Sequence, residues 1–280
     1  MRSVSTVARI GLAGAVAAVV LLVVPTVGAA GLHAASGRAP LVPATSGPRP
    51  VPSARDGLHG TQSSLNWAGY AASGPSFSSV TGTWTQPTAT CPADKAQLAA
   101  FWVGLDGYSS SDPTVEQIGT DSDCVRGRGR GSTGGSSYYA WFEMYPSALE
   151  VLPSSSYPVG PGDTLTATVA VYGSGYLLVL VDAGRWTYST VQLPSTPPQN
   201  ASAEWIAEAP TSCRGASCTI VKLADFGAIG FSGAEADGLP ISSFANDQIT
   251  MANRNGKKVK AGTSALSPAG SAFTVSWQHS

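Results

Sequence analysis

Apolar and polar side chains alternate with a period of two along much of this chain, and few folds accept that rhythm. Val80, Gly82 and Trp84 alternate with Thr81, Thr83 and Thr85, and Leu165, Ala167, Val169 and Val171 alternate with Thr164, Thr166 and Thr168. Successive side chains of a strand point to opposite faces, so these are strands buried on one side. Further strands are expected at 99–105, 137–145, 177–181, 186–193, 204–208, 224–231 and 273–277, separated by clusters of Gly, Pro, Ser and Asn. No stretch sustains a helical period. The chain is therefore expected to be all-β, and its length favours an antiparallel β-sandwich of two large sheets. Asn255-Gly256 before Lys257 and Lys258 reads as a tight hairpin, with the lysines up to Lys260 discouraging edge pairing.

The first residues have a different character. Arg2 and Arg9 precede an apolar run from Ile10 to Val24, followed by Pro25 and the small residues Gly28, Ala29 and Ala30. This is the pattern of a signal peptide over 1–29 and predicts a secreted, extracellular product. A membrane anchor is the rival, because about twenty apolar residues span a bilayer. The small residues at the cut favour cleavage, after which no stable membrane insertion is expected. Residues 30–62 are rich in Ala, Pro, Ser, Gly and Arg without apolar periodicity, which reads as a pro-segment or a flexible linker. The formal charge is +4 up to His59 and −5 beyond it. A basic pro-segment held on an acidic domain, and released as carboxylates protonate, is the zymogen reading of that contrast. The remainder, 63–280, is long enough for one domain with a substantial core and is expected to be a monomer.

Four cysteines in an exported chain suggest two disulfides. Cys213 and Cys218 enclose only four residues and are expected to bridge each other, which leaves Cys91 to Cys124. Zinc is the competing use, but the spacing lacks two Cys-x-x-Cys knuckles. The Arg126-Gly-Arg-Gly-Arg130 tract resembles an RNA-contacting segment; on an acidic exported domain it reads as a solvated loop, and no nucleic acid partner is expected.

No histidine occurs between His59 and His279. A Ser-His-Asp triad, a Cys-His pair and a His-ligated zinc all fail for that reason. No calcium loop of alternating acids is present, so no metal or cofactor is expected. Carboxylate chemistry remains. Asp106 follows the strand-like 101–105, Glu143 lies in the aromatic stretch 138–145, and Glu204 and Glu208 flank Trp205 and Ile206. On a strand Glu204, Ile206 and Glu208 share a face, and two acids there are costly unless that face is solvent or a site.

Six blocks bring these residues together: Asn66-Trp67-Ala-Gly-Tyr70, Trp102-Val-Gly-Leu-Asp106-Gly107, Gln117-Ile-Gly119, Trp141-Phe-Glu143-Met-Tyr145-Pro146, Ala203-Glu204-Trp205-Ile-Ala-Glu208 and Ala224-Asp-Phe-Gly227. In order and spacing the chain from Asn66 onward resembles the glutamic peptidases, or eqolisins. The resemblance implies a concanavalin A-like jelly roll of two long antiparallel sheets whose concave face carries a catalytic dyad, here Gln117 and Glu208. It implies supporting or substrate-binding places in the cleft for Trp102, Asp106, Trp141 and Glu143, to which Trp67 and Glu204 are added from their positions in the motifs. The substrates implied are peptides or unfolded proteins.

The chemistry of that dyad follows from its groups. An ionised Glu208 takes a proton from an attacking water and returns it to the departing amine. Gln117 cannot titrate, but its amide donates to the developing oxyanion. An unperturbed Glu near 4.3 sets an acidic working range. Three positions depart from the family pattern: Glu116 stands for a Leu, Ile118 for a Thr and Met144 for a Trp. Alternation sends Glu116 to the opposite face from Gln117. Two rivals are a concanavalin A-like glycosidase using Glu204 and Glu208, and a non-catalytic sandwich that binds carbohydrate or peptide on Trp67, Trp102 and Trp141. The first is weakened by Ile206, which stands where an intervening Asp is expected, and by a spacing of roughly 13 Å between the two acids.

Overall fold

The computed structural model describes residues 55–56, 59–92, 95–109, 111–126, 134–214 and 217–280, with backbone alone at 55–56, 59, 213–214 and 217. The signal peptide, nearly all of the pro-segment or linker, and positions 127–130 of the arginine tract lie outside them. In chain order the longer strands are β1 (His59–Ser64), β2 (Trp67–Ser73), β3 (Ser79–Thr85), β4 (Ala100–Leu105), β5 (Val115–Val125) and β6 (Gly135–Tyr145). There follow β7 (Thr164–Tyr172), β8 (Gly175–Asp182), β9 (Trp186–Gln192), β10 (Ser202–Glu208), β11 (Thr211–Arg214) and β12 (Ser217–Ile220). The last are β13 (Ala228–Ala236), β14 (Ala245–Ala252), β15 (Val259–Thr263) and β16 (Phe273–Trp277).

Hydrogen-bonded neighbours form two runs. One is β1, β14, β2, β10, β4, β5, β6. The other is β15, β16, β13, β3, β7, β8, β9. β15 also pairs with the end of β14, so one sheet continues into the other. All these pairings are antiparallel except β1 with β14. The pairing of β1 begins at His59, inside the stretch read as leader.

The two runs pack face to face, the arrangement of a β-sandwich. Tyr70 of β2 meets Phe273 of β16 with ring centroids 4.8 Å apart. Trp205 of β10 donates its indole N–H to Thr81 O of β3 at 2.6 Å, and Trp84 of β3 donates to Thr120 Oγ1 of β5 at 3.1 Å. Buried indoles find acceptors because an orphaned N–H costs more than the packing returns.

Of the strands buried on both faces, β4 and β10 were expected, and β2 and β5 were not. β2 and β5 are buried at nearly every position, and the polar residues of β5 fall on both of its faces, so no alternation marks an outer face. The strand expected at 224–231 begins instead at Ala228. Asp225 Oδ1 accepts from Gly227 N at 3.0 Å and Gly227 has φ +64°, a local turn that holds the chain out of the ladder until Ala228. The Asn255-Gly256 hairpin is wider than two residues, because Asn253 N closes on Lys258 O at 2.9 Å. Lys260 also turns inward and donates from Nζ to Leu65 O at 2.7 Å.

Cys91 and Cys124 are bridged. Cys218 is also disulfide-bonded, and the register of β11 and β12 sets Cys213 directly opposite it.

Candidate active site

The first sheet has two buried faces. Its inner side chains belong to the sandwich core. Its other face carries a second cluster that includes Trp67, Trp102, Tyr139, Trp141 and Ile206. Cross-strand register arranges this second face in rows. Trp67, Glu208, Ala100, Asp121 and Tyr139 form one row across β2, β10, β4, β5 and β6. Gly69, Ile206, Trp102, Gly119 and Trp141 form the next. Ala71, Glu204, Gly104, Gln117 and Glu143 form the third.

Gln117 and Glu208 therefore share a face but not a row. They lie two strands and four residues apart, roughly 16 Å between Cα atoms in a flat sheet. Each side chain reaches several ångströms, which leaves between their ends about the room of a peptide carbonyl and one water. The row between them holds Trp102 on β4 and Gly119 beside it on β5. A Cβ there would stand 2.2 Å from Phe101 O and 2.6 Å from Trp102 Cβ, so no other residue fits.

Glu208 is partly exposed. Its Oε2 accepts from Trp102 Nε1 at 2.9 Å and its Oε1 from Asn66 Nδ2 at 3.1 Å. Burial pushes its carboxyl up to about 8, the N–H groups of Trp102 and Asn66 favour the ionised form, and the nearby Asp121 charge opposes it. Trp67 packs edge-on against Trp102 with centroids 4.9 Å apart, which fixes the donor ring. Gln117 is 6% exposed, and its Nε2 donates to Glu143 Oε2 at 2.7 Å. Glu143 thus holds the amide with its N–H groups turned along the third row.

Other expected residues divide. Glu204 shares the face of Glu208, but it is 0% exposed, and burial holds its carboxyl well above the ordinary range. Asp106 does not line the rows. It adopts φ +70° at the end of β4, and its carboxylate accepts backbone N–H groups from Gln199 at 2.9 Å, Asn200 at 2.7 Å and Ala201 at 2.7 Å. Its work is to fasten the chain entering β10, the strand that carries Glu204 and Glu208. Glu116 points into the core, opposite Gln117, and is fully buried there. Trp141 donates from Nε1 to Asp121 Oδ1 at 2.5 Å.

Sequence reading passed over Asp121, Asp123 and Tyr139. Their signal was present, since alternation from Gln117 carries Gly119, Asp121 and Asp123 onto one face. Among the described residues no three His, Cys, Asp or Glu side chains converge as a metal ion requires. A separate cavity of about 480 Å³, lined by Tyr70, Asn246, Gln248 and Leu266 among others, holds none of these groups.

On this all-β frame the register sets an amide and a carboxyl on one face, on either side of the row that holds Trp102 and Gly119. The chain belongs to the Peptidase A4 family, the glutamic peptidases, whose family model matches residues 65–277. It is 28% identical over 204 residues to aspergillopepsin-2 of Aspergillus niger, covering 64% of this chain and 67% of that protein. It is 29% identical over 167 residues to scytalidopepsin B of Scytalidium lignicola, covering 58% of each. Its fold is similar to a crystal structure of scytalido-glutamic peptidase with a peptide-based transition state analog, with a TM-score of 0.62, 22% identity, and coverage of 76% of this chain and 98% of that one.

Proposed function

We propose that this domain is a secreted, acid-acting endopeptidase in which Glu208 activates water and Gln117 stabilises the oxyanion. The observation that carries the reading is their placement: one face, two rows apart, with the row of Trp102 and Gly119 between. Water attacks the scissile carbonyl carbon as Glu208 takes its proton; the carbonyl electron pair moves to oxygen, where the Gln117 amide donates. Collapse of the tetrahedral intermediate breaks the C–N bond, and Glu208 returns the proton to the amine. The similarity to a peptidase solved with a peptide-based transition state analog supports a peptide in this cleft, and the family membership supports the jelly-roll connectivity of the two sheets.

Glu208 is favoured over Glu204 as the base by access. Glu204 lies across Gly104 from Gln117, yet it is sealed from solvent, whereas Glu208 is partly exposed. The pH range follows from two opposed effects. Base catalysis by Glu208 gains tenfold per pH unit up to about 8. Stability runs the other way, since burial makes neutral acids of Glu116, Asp123 and Glu204. The upper limit of activity is then set by loss of the fold and lies on the acid side of Glu208's own titration. The leader is read as a signal peptide and a basic pro-segment.

The test is digestion of an unfolded protein in acid by the full chain after removal of everything before His59, beside Glu208→Gln, Gln117→Ala and Glu204→Gln, with fragments read by mass spectrometry. Cleavage by the parent and by Glu204→Gln, but by neither dyad variant, is expected. Equal cleavage by all four, or an inert parent, sinks the assignment and sends the search to sugar substrates or to binding alone.

A further inference from the structure

Beyond Gln117 and Gly119 the same face of β5 carries Asp121 and Asp123, both buried. Tyr139 of β6, opposite Asp121 in the ladder, sets its hydroxyl 2.9 Å from Asp121 Oδ2 and 2.9 Å from Asp123 Oδ2. A phenol has one proton and can satisfy only one carboxylate. The second oxygen must bring its own proton, or stand as an anion against the phenol's lone pairs. No ion pair to either carboxylate occurs among the described residues, whose salt bridges are those of Arg185 with Asp163 and Asp182.

The donors decide which carboxyl keeps the proton. Asp121 accepts from Tyr139 and, at 2.5 Å, from Trp141 Nε1, so it is built to be ionised. Apart from the shared phenol, Asp123 accepts from Ala99 N at 3.3 Å, a weaker donor than the indole of Trp141. We propose that Asp123, Tyr139 and Asp121 hold one extra proton in a relay running Asp123 O–H to Tyr139 O–H to Asp121 carboxylate. The retained proton caps the charge beside Glu208 at one negative. Burial raises both carboxyls, the charge of Asp121 adds to that of Asp123, and a direct hydrogen bond between the two carboxyls also keeps the proton on Asp123, beside the path through the phenol.

The consequence rests on the reading of Glu208 as the base. Asp121 lies across Ala100 from Glu208, two inter-strand spacings away, and Asp123 lies one further turn of the pleat along. The groups facing the pair are Glu208 from β10, Tyr139 and Trp141 from β6, and Ala99 and Ala100 from β4; Gln117 and Glu143 stand further up the same strands. When the shared proton leaves, a second negative charge appears roughly 10–12 Å from Glu208. At an effective dielectric of about 20 that raises its proton affinity by about one pH unit. The relay is a brake: it lets the base work in acid and weakens it about tenfold once the proton is gone. Asp123 is a positioning residue, acting through Asp121.

The test uses Asp123→Asn and Tyr139→Phe in the full chain. In Asp123→Asn the amide donates to the phenol in place of the acid proton, and the second charge never arrives. Two readouts are taken, each at pH values where melting curves show the parent and variant folded. One is kcat/KM against pH on a peptide substrate. The other is the infrared carboxylic-acid C=O band near neutral pH, as the difference between parent and variant. The expected result is one acid band missing in Asp123→Asn, a variant-to-parent ratio of kcat/KM near 1 in acid, and a rise of that ratio to about tenfold above the relay's titration. Tyr139→Phe, which cuts the path through the phenol, is expected to depart from the parent in acid as well, with a variant-to-parent ratio below 1 there. A missing band in a protein that cleaves nothing keeps the relay and overturns the peptidase reading. An unchanged band, or a ratio flat across the pH range in an active enzyme, overturns the proposal.

Discussion

Glu116 should make this domain fail in alkali, and the size of the effect follows from where it sits. It is on the inner face of β5 at 0% exposure, where the Thr114 side chain and its own backbone N–H offset little of the cost of a charge. Burial pushes its carboxyl up to about 9, and the charges of Asp106 and Asp112 add to that. In the unfolded chain the same group titrates near 4.3. The folded pKa is raised, so folding takes up a proton. The stability is complete below about 4.3 and is lost as pH rises toward 9, at up to about 1.4 kcal/mol per unit. By pH 7 the loss is on the order of 3 kcal/mol, a large part of the 5–15 kcal/mol that a domain commonly has. Glu116→Gln keeps the shape and a buried polar group, so it should match the parent within about 1 kcal/mol at pH 4. By pH 7 it should be the more stable by about 3 kcal/mol. Urea unfolding followed by tryptophan fluorescence, at unit steps from pH 4 to 8, measures both curves. If they run parallel, Glu116 is ionised in the folded state or the cavity admits water, and the reasoning is wrong.

Other expectations are direct. Gln117→Ala should lower kcat by about 10²–10³ with KM little changed, since an oxyanion donor acts on the transition state, and steady-state kinetics will show whether it does. Gly119→Ala should leave little folded protein, or a domain several kcal/mol weaker by thermal melting, because its Cβ would overlap the Phe101 carbonyl. Asp106→Ala should cost about 3 kcal/mol and Asp106→Asn less, because Asn keeps an acceptor and tolerates the left-handed backbone found there. Replacing Cys91 and Cys124, which are 33 residues apart, by Ser should cost about 3–4 kcal/mol in chain entropy, read from the urea midpoint. Because the bridge encloses Gln117, activity should fall at lower urea than the fluorescence signal does.

A wet face made some strands legible by alternation, while β4 and β10 were expected at 99–105 and 204–208 although both faces of each are buried. β3 and β7 bury one face only, and their Thr and Val alternation announced them. β5 buries both, so its 11 residues showed no rhythm, although it carries Gln117, Asp121 and Asp123. Motif order singled out Gln117 and Glu208, but only the register could show that they share a face and occupy different rows. The resemblance gave Asp106 a supporting place in the cleft, and only the backbone shows that its positive φ and its carboxylate contacts fasten the chain at 199–201. Pairing of His59–Ser64 with β14 was hidden as well, since a polar edge strand reads like the linker that precedes it.

The buried acids share one physical logic. A carboxyl sealed among tryptophans and strands costs several kcal/mol if charged and far less if it carries its proton. A fold that accumulates Glu116, Glu204 and the Asp121–Asp123 pair in such places is therefore expected to be more stable in acid than in alkali. The same economy works against Glu208, which must give its proton up to act. Trp102 and Asn66 lean the other way, each donating an N–H to one oxygen of that carboxylate. Removing the Trp102 donor by Trp102→Phe keeps the ring contact with Trp67 and deletes one hydrogen bond. Glu208 should then titrate higher by about one unit, and kcat/KM in acid should fall about tenfold with the shape of the pH profile unchanged. A Trp102→Phe enzyme as active as its parent in acid would mean that Glu208 is not the base.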